Sequence, residues 1–279
     1  MIPIALVLIF SLVLGNWIVA NNAAQDIIKT RMSDIVEFAE ESLIFFVESG
    51  SSQIYKIASD SRLSSSDKDE VLNALQENYQ ETSFFNEQIV FDAAGSVISL
   101  TVIETTPSQL EYEAKNGDIT SVIQNAQQTI ETYPTGEDVP SAGLSFIVPL
   151  YDENRVPSRV LAGRSDFYSN PAGRQVWNAL NMIAEFDGQN LLIDEKYRIL
   201  IHPDPAFKFS VYSGPISEGY YQEKVPSQEL SPNGKPQLVY FSEIEGFPRA
   251  FVSTVPLQQL QKNTLEIIAP MLLMLSLIH

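Results

Sequence analysis

Apolar positions along the chain fall into three regimes. From Ile2 to Ala20 they are almost continuous, with no charge and only Ser11 and Asn16 as clearly polar side chains. That stretch is long enough to cross a bilayer as a helix. A cleaved signal peptide would carry a basic start and small residues at a cut, and only Ile18-Val19-Ala20 hints at one. From Ala23 to about Ser59 the apolar or small residues step by three and four, at Ile28, Met32, Ile35, Ala39, Leu43, Phe46, Gly50, Ile54 and Ile57. This spacing predicts one long amphipathic helix, a stalk running on from the first segment. Its length exceeds that of an ordinary globular helix, which suits packing along more than one module or against a second copy of itself. A shorter helix is predicted from Ser66 to about Gln80, opened by Ser66-Asp67-Lys68-Asp69 as cap and acidic first turn.

After that the period shortens to two. Gln88 to Leu100 reads strand, turn, strand around Asp92-Ala93-Ala94-Gly95. The polar stretch Glu104 to Val139 is expected to hold a helix near Ile119 to Tyr133. Two further strands are predicted at Leu144 to Tyr151 and Ser158 to Phe167, joined by the polar turn at Asp152 to Pro157. A helix from Pro171 to about Phe186, capped by Asn170, closes the block. The pattern then restarts, because Asn190 to His202 is again strand, Asp-initiated turn and strand. Aligned on Asp92 and Asp194, Ile89, Val90 and Phe91 match Leu191, Leu192 and Ile193. A polar insertion from Pro203 to Pro236 leads to a last hairpin, Gln237 to Glu243 and Pro248 to Val255. The two halves read as one small α+β unit written twice. The chain closes on an apolar run, Leu265 to Ile278, too short to cross a bilayer and expected to be the start of a second membrane helix, incomplete at His279.

Charge narrows the range of partners. The 279 residues carry 35 acids against 17 Lys and Arg, a formal net charge of -18. No basic cluster offers phosphate contacts, so nucleic acid is not an expected partner. With no cysteine there is no disulfide, thiolate metal site or Cys nucleophile. Of two histidines only His202 is interior, and His202-Pro203-Asp204 reads as a strand-ending turn rather than a zinc ligand set. The Asp152-Glu153-Asn154 turn lacks the spaced ligands of a calcium loop. Nucleotide, metalloprotease and serine-hydrolase motifs are all absent, and no cofactor is expected.

Membrane helix, stalk, two hairpin modules and a return to the membrane together resemble the double Cache, tandem PAS-like, sensor domains of bacterial transmembrane receptors. The most specific segments are Val160-Leu161-Ala162-Gly163-Arg164-Ser165-Asp166-Phe167, Leu192-Ile193-Asp194 with Ile199 to Asp204, and Gly246-Phe247-Pro248-Arg249-Ala250-Phe251-Val252 with Val255-Pro256. The resemblance implies an α+β fold with antiparallel sheets. Its expected divisions are a membrane helix at 1–21, a stalk at 22–65, a membrane-distal module with linking helix at 66–186, a membrane-proximal module at 187–262 and a second membrane helix from 263 to 279. It also implies residues 22–262 outside the inner membrane, a homodimer, a small-molecule ligand such as an organic acid or amine, and a cytoplasmic output part such as a kinase or cyclase. Amino-acid-binding members carry an Arg-x-Trp-Tyr run, a downstream Tyr and a late-strand Asp. Here only Asp166 has a counterpart, since Trp17 and Trp177 fall in helices and no Arg-x-Trp occurs.

Alternation along Arg159 to Phe167 places Val160, Ala162, Arg164 and Asp166 on one face. If that face lines a cavity, Arg164 could hold a carboxylate and Asp166 an ammonium. The other reading is a solvated strand end where the two pair with each other. Tyr133, Tyr151 and Tyr168 could add aromatic walls and hydroxyl donors, or be ordinary sheet-edge tyrosines. Besides a sensor, two further functions fit the chain: a membrane-tethered hydrolase using paired carboxylates, and a periplasmic scaffold with acidic faces.

Overall fold

A computed structural model describes residues 2–102, 118–133, 135, 141–214, 226–245, 247 and 249–258, with the side chains of 2–10, 12 and 13 outside that description. Helix α1 runs without interruption over Ile2–Ala58. The positions spaced by three and four behave as the periodicity requires: Ile28, Met32, Ile35, Ala39, Leu43, Phe46, Gly50, Ile54 and Ile57 are all buried. Helix α2 spans Lys68–Glu81 and is capped by Asp67 rather than Ser66, because the Asp67 carboxylate accepts the Asp69 N–H at 2.9 Å. The backbone divides into two compact units, residues 40–178 with 204–209, and residues 1–39, 179–203 and 210–279.

The first unit holds β1 Glu87–Asp92, β2 Val97–Val102, β3 Thr129–Tyr133, β4 Gly143–Tyr151 and β5 Pro157–Asp166, in the order β2-β1-β5-β4-β3. The second unit holds β6 Gln189–Asp194, β7 Ile199–Ile201, β8 Ser227–Leu230, β9 Pro236–Glu243 and β10 Arg249–Pro256, in the order β7-β6-β10-β9-β8. The orders are the same strand for strand, and all recorded pairings are antiparallel. The repeat read from two short segments is therefore a repeat of whole sheets. Its sequence signal has a physical basis at the first hairpin of each sheet. Asp92 Oδ1 accepts the N–H groups of Ala94 and Ser96 at 2.9 and 2.8 Å, and Asp194 Oδ1 those of Lys196 and Arg198 at 2.9 and 2.8 Å. In each turn the third residue after the aspartate is left-handed, Gly95 at φ 82° and Tyr197 at φ 59°. Asp152 caps its own turn in the same way, through Asn154 and Val156 N–H, with Arg155 at φ 62°.

Three sequence expectations are corrected. The helix expected near Ile119 to Tyr133 is α3, Asp118–Asn125 only. Ala126 takes φ 50°, and Thr129 to Thr132, with β-branched residues at 129, 130 and 132, continues as edge strand β3. The helix expected from Pro171 to Phe186 is α4, Gly173–Asn181, followed by a tighter turn over Met182–Phe186. Asn170 caps α4 as expected, accepting the N–H groups of Ala172 and Gly173 at 2.8 and 3.2 Å. Finally, the insertion between Pro203 and Pro236 supplies a strand, β8. Among the described residues no helix is long and apolar enough to cross a membrane. The expected second membrane segment at 263–279, and most side chains of the first at 2–20, lie outside the described residues.

In the first unit the sheet is buried on both faces. One face meets α1: Phe46 stacks near Phe84, Phe146 and Phe167, with ring centroids 5.2, 6.2 and 5.0 Å apart. The opposite face carries Ile89, Phe91, Ile147, Val160 and Ala162, covered by Ile119 and Val122 of α3. This second face also carries the unit's buried charges.

Candidate functional site

Cross-strand register decides which side chains share that second face. Glu87 of β1 lies opposite Arg164 of β5, Arg164 opposite Ser145 of β4, and Ser145 opposite Glu131 of β3. One row further along, Asp166 lies opposite Gly143, and Gly143 opposite Tyr133. Directly opposed residues point to the same side of a sheet. The outer face of this sheet is thus apolar over Ile89, Ile147 and Ala162, then polar over two consecutive rows.

Within the first of these rows Glu131 is half-buried, but the other three positions are as inaccessible as the apolar ones: Arg164 and Ser145 are 0% exposed and Glu87 4%. Arg164 Nη1 donates to Glu87 Oε2 at 2.6 Å, and its guanidinium carbon lies 5.1 Å from the centre of the Tyr133 ring. Ion pairing and the aromatic face offset part of the cost of taking the cation out of water. Glycine at 143 is what lets Tyr133 take this place, since a Cβ there would lie 2.1 Å from the ring. Two oxygens in the row have no hydrogen-bond partner among the described residues, Glu87 Oε1 and Ser145 Oγ. Buried polar atoms without partners cost about 1–3 kcal/mol each, so a pair of them flanking one arginine is an unusual local arrangement.

Asp166 is also buried, but its carboxylate organises its own turn. Oδ1 accepts the N–H groups of Tyr168 and Ser169 at 2.7 Å each, and Oδ2 accepts the Ser169 hydroxyl. Arg164 and Asp166 therefore have different partners and do not pair at a solvated end. Of the five residues picked out in the sequence, Arg164, Asp166 and Tyr133 lie together. Tyr151 is half exposed at the far end of β4, and Tyr168 is half exposed with its ring edge-on to Trp177 at 5.6 Å. Glu87 and Ser145 were not picked out. Glu87 could have been found by alternation back from Phe91 and Ile89, whereas Ser145 has no local signal.

The second sheet has a cavity of about 280 Å³ at its hairpin end, lined among others by Asp194, Tyr197, Phe241, Glu243, Phe247 and Arg249. Asp194 Oδ2 accepts Arg198 Nε and Nη2 at 2.7 and 2.6 Å, and Arg249 lies 4.1 Å above the Phe247 ring, its Nε buried without a hydrogen-bond partner among the described residues; Glu195 and Glu243 complete the charged lining. No group of three or more metal-ligating side chains occurs among the described residues.

No protein-family model matches the chain, and no curated protein matches its sequence. Solved structures do match in fold. The ligand-binding domain of the Pseudomonas aeruginosa amino acid chemoreceptor PctC, in complex with GABA, has a TM-score of 0.62 at 14% identity, covering 81% of this chain and 99% of that one. The sensory domain of the Campylobacter jejuni chemoreceptor Tlp3, with isoleucine bound, gives 0.60 at 12% identity over 86% and 97%. The ligand-binding domain of the Pseudomonas fluorescens chemoreceptor CtaA, in complex with L-serine, gives 0.58 at 15% identity over 83% and 98%. The chain has the fold of these sensor domains, in agreement with the double Cache resemblance.

Proposed function

We propose that this chain is the extracytoplasmic sensing domain of a membrane-anchored receptor, and that it binds a small molecule on the outer face of its first sheet. The observation that carries the reading is the row Glu87, Arg164, Ser145: a buried charge pair flanked by two partnerless oxygens, in a fold whose solved examples hold GABA, serine and isoleucine. Unpartnered buried oxygens occur elsewhere in the chain as well, at Ser242 and Ser253 for example; here they flank a buried charge pair, and a ligand that bonds to them would recover their desolvation cost.

Around that site the remaining sequence expectations form the proposal: residues 22–262 outside the membrane, apolar segments at either end as anchors, a dimer formed along α1, and an output part in the cytoplasm. Ligand binding would shift the balance between two arrangements of the paired α1 helices, by no more than its difference in affinity for them. The domain itself is proposed to bind, not to catalyse.

The test is a thermal-shift screen of the dialysed protein against amino acids, amines, polyols and organic acids, since a compound that binds only the folded form raises Tm. A dose-dependent rise that Arg164→Met abolishes supports the reading. No response to any class, from a protein shown to be folded, would refute it.

A further inference from the structure

Arg164 would ordinarily be read as the group that captures a ligand carboxylate, yet in this chain a side chain already does so. Glu87 Oε2 sits 2.6 Å from Arg164 Nη1, the pair is enclosed, and strand register rather than a flexible loop holds it in place. Glu87 and Arg164 together bring no net charge to this part of the face. Among the described residues, the groups of this row left without partners are the Glu87 Oε1 carboxylate oxygen, an acceptor, and Ser145 Oγ, which accepts or donates. A second anion placed beside Glu87 would meet like charge in a low-dielectric setting. A ligand with an ammonium or hydroxyl group would complete Glu87 Oε1 through a charge-assisted hydrogen bond.

From this we infer that Glu87 is a specificity-determining residue: it stands in for a ligand carboxylate on Arg164 and restricts the site to hydrogen-bond donors, amines and hydroxyl compounds, in preference to organic acids. The inference rests on the proposed ligand site in the first sheet and narrows it. The ligand's donor group bonds to Glu87 Oε1, with Ser145 Oγ as its neighbour, while the Arg164 ion pair persists through binding.

The experiment uses the full chain and three probes on the same three-carbon skeleton: 1,3-diaminopropane, glycerol and malonate. In the unaltered protein 1,3-diaminopropane or glycerol is expected to raise Tm, by about 5 °C at a hundred-fold excess over Kd, and malonate to leave it unchanged. In Glu87→Gln, which keeps the size of the side chain and removes its charge, the donor response is lost and malonate becomes stabilising. Glu87→Ala gives a second readout, because acetate should restore part of its lost stability by reoccupying Arg164. A malonate response in the unaltered protein equal to that of the donors would overturn the inference while leaving the site intact. Silence of both Glu87→Gln and the unaltered protein toward all three probes would overturn the inference and count against the sensing reading as well.

Discussion

Glu87 and Arg164 face each other across β1 and β5 as directly opposed residues, Oε2 to Nη1 at 2.6 Å, both buried, with the Arg164 side chain 0% and the Glu87 side chain 6% exposed. Such a pair contributes little net stability, because desolvation consumes most of the attraction, but losing one member leaves a charge buried alone. Arg164→Ala or Glu87→Ala should therefore destabilise the fold by about 3–5 kcal/mol, and the double change Glu87→Leu with Arg164→Met by much less. Urea unfolding of the three variants checks this. Equal losses in single and double variants would show that the pair is not coupled.

Gly50 of α1 permits the first sheet to reach the helix. A Cβ at this position would fall 2.3 Å from the Phe146 ring, which packs against Phe46, Phe84 and Phe85. Two effects compete in Gly50→Ala. Helix propensity favours alanine by about 1 kcal/mol, and overpacking costs about 1–3 kcal/mol. Since Phe146 is fully buried, overpacking should win and Tm should fall. A rise in Tm would mean that the ring has room.

The long helix was legible because its period of three and four acts within one segment, so Ile28 through Ile57 announce their burial without reference to the rest of the chain. The hairpin turns at Asp92 and Asp194 were legible for the same reason, their hydrogen bonds closing within four residues. Strand β3 was not. Ile119 and Val122 suit a helix, and nothing local says that the chain turns at Ala126 and joins β4 as an edge. The site was half legible: alternation places Arg164 on its face, but that Glu87, far away in sequence, sits opposite it depends on strand register, which a single sequence does not print.

Tyr212 supplies an alkaline test in the second unit. Its hydroxyl is buried without a partner among the described residues, and burial pushes its pKa up from 10.0 to about 12. The unfolded chain ionises first, so stability is fully present below pH 10 and is lost as pH rises toward 12, by at most about 2–3 kcal/mol. Tyr212→Phe should remove that part of the alkaline loss and leave stability at pH 7 equal or higher, because a partnerless hydroxyl is removed. Equilibrium unfolding between pH 8 and pH 12 decides it. Identical alkaline slopes in the two proteins would contradict the assignment.

Asp60 supplies the acid counterpart. The Arg62 side chain bonds its carboxylate through Nε at 3.1 Å and Nη2 at 2.8 Å, and this lowers its pKa despite the opposing effect of burial, with the Arg62 N–H and Asn78 adding to the lowering. A depressed carboxylate contributes stability that is present above its ordinary value of 3.8 and is lost as pH falls through the folded value. Asp60→Ala also removes a cap and should cost about 1 kcal/mol at neutral pH, while showing a shallower loss of stability below pH 4 than the unaltered protein. A variant that is equally stable at pH 7 would show that the cap and the ion pair do not contribute.

Ser145 tests the central claim most directly, because structure and function pull on it in opposite directions. Its hydroxyl is buried and partnerless, so Ser145→Ala should leave the protein as stable or more so. If ligand occupies this row, the same change should weaken binding of the compound with the largest thermal shift about tenfold, the value of one hydrogen bond of about 1.4 kcal/mol. Isothermal titration of that compound into the unaltered protein and Ser145→Ala is the measurement. A weaker Kd in an undiminished fold is the predicted result, and an unchanged Kd would contradict a ligand site at Glu87, Arg164 and Ser145.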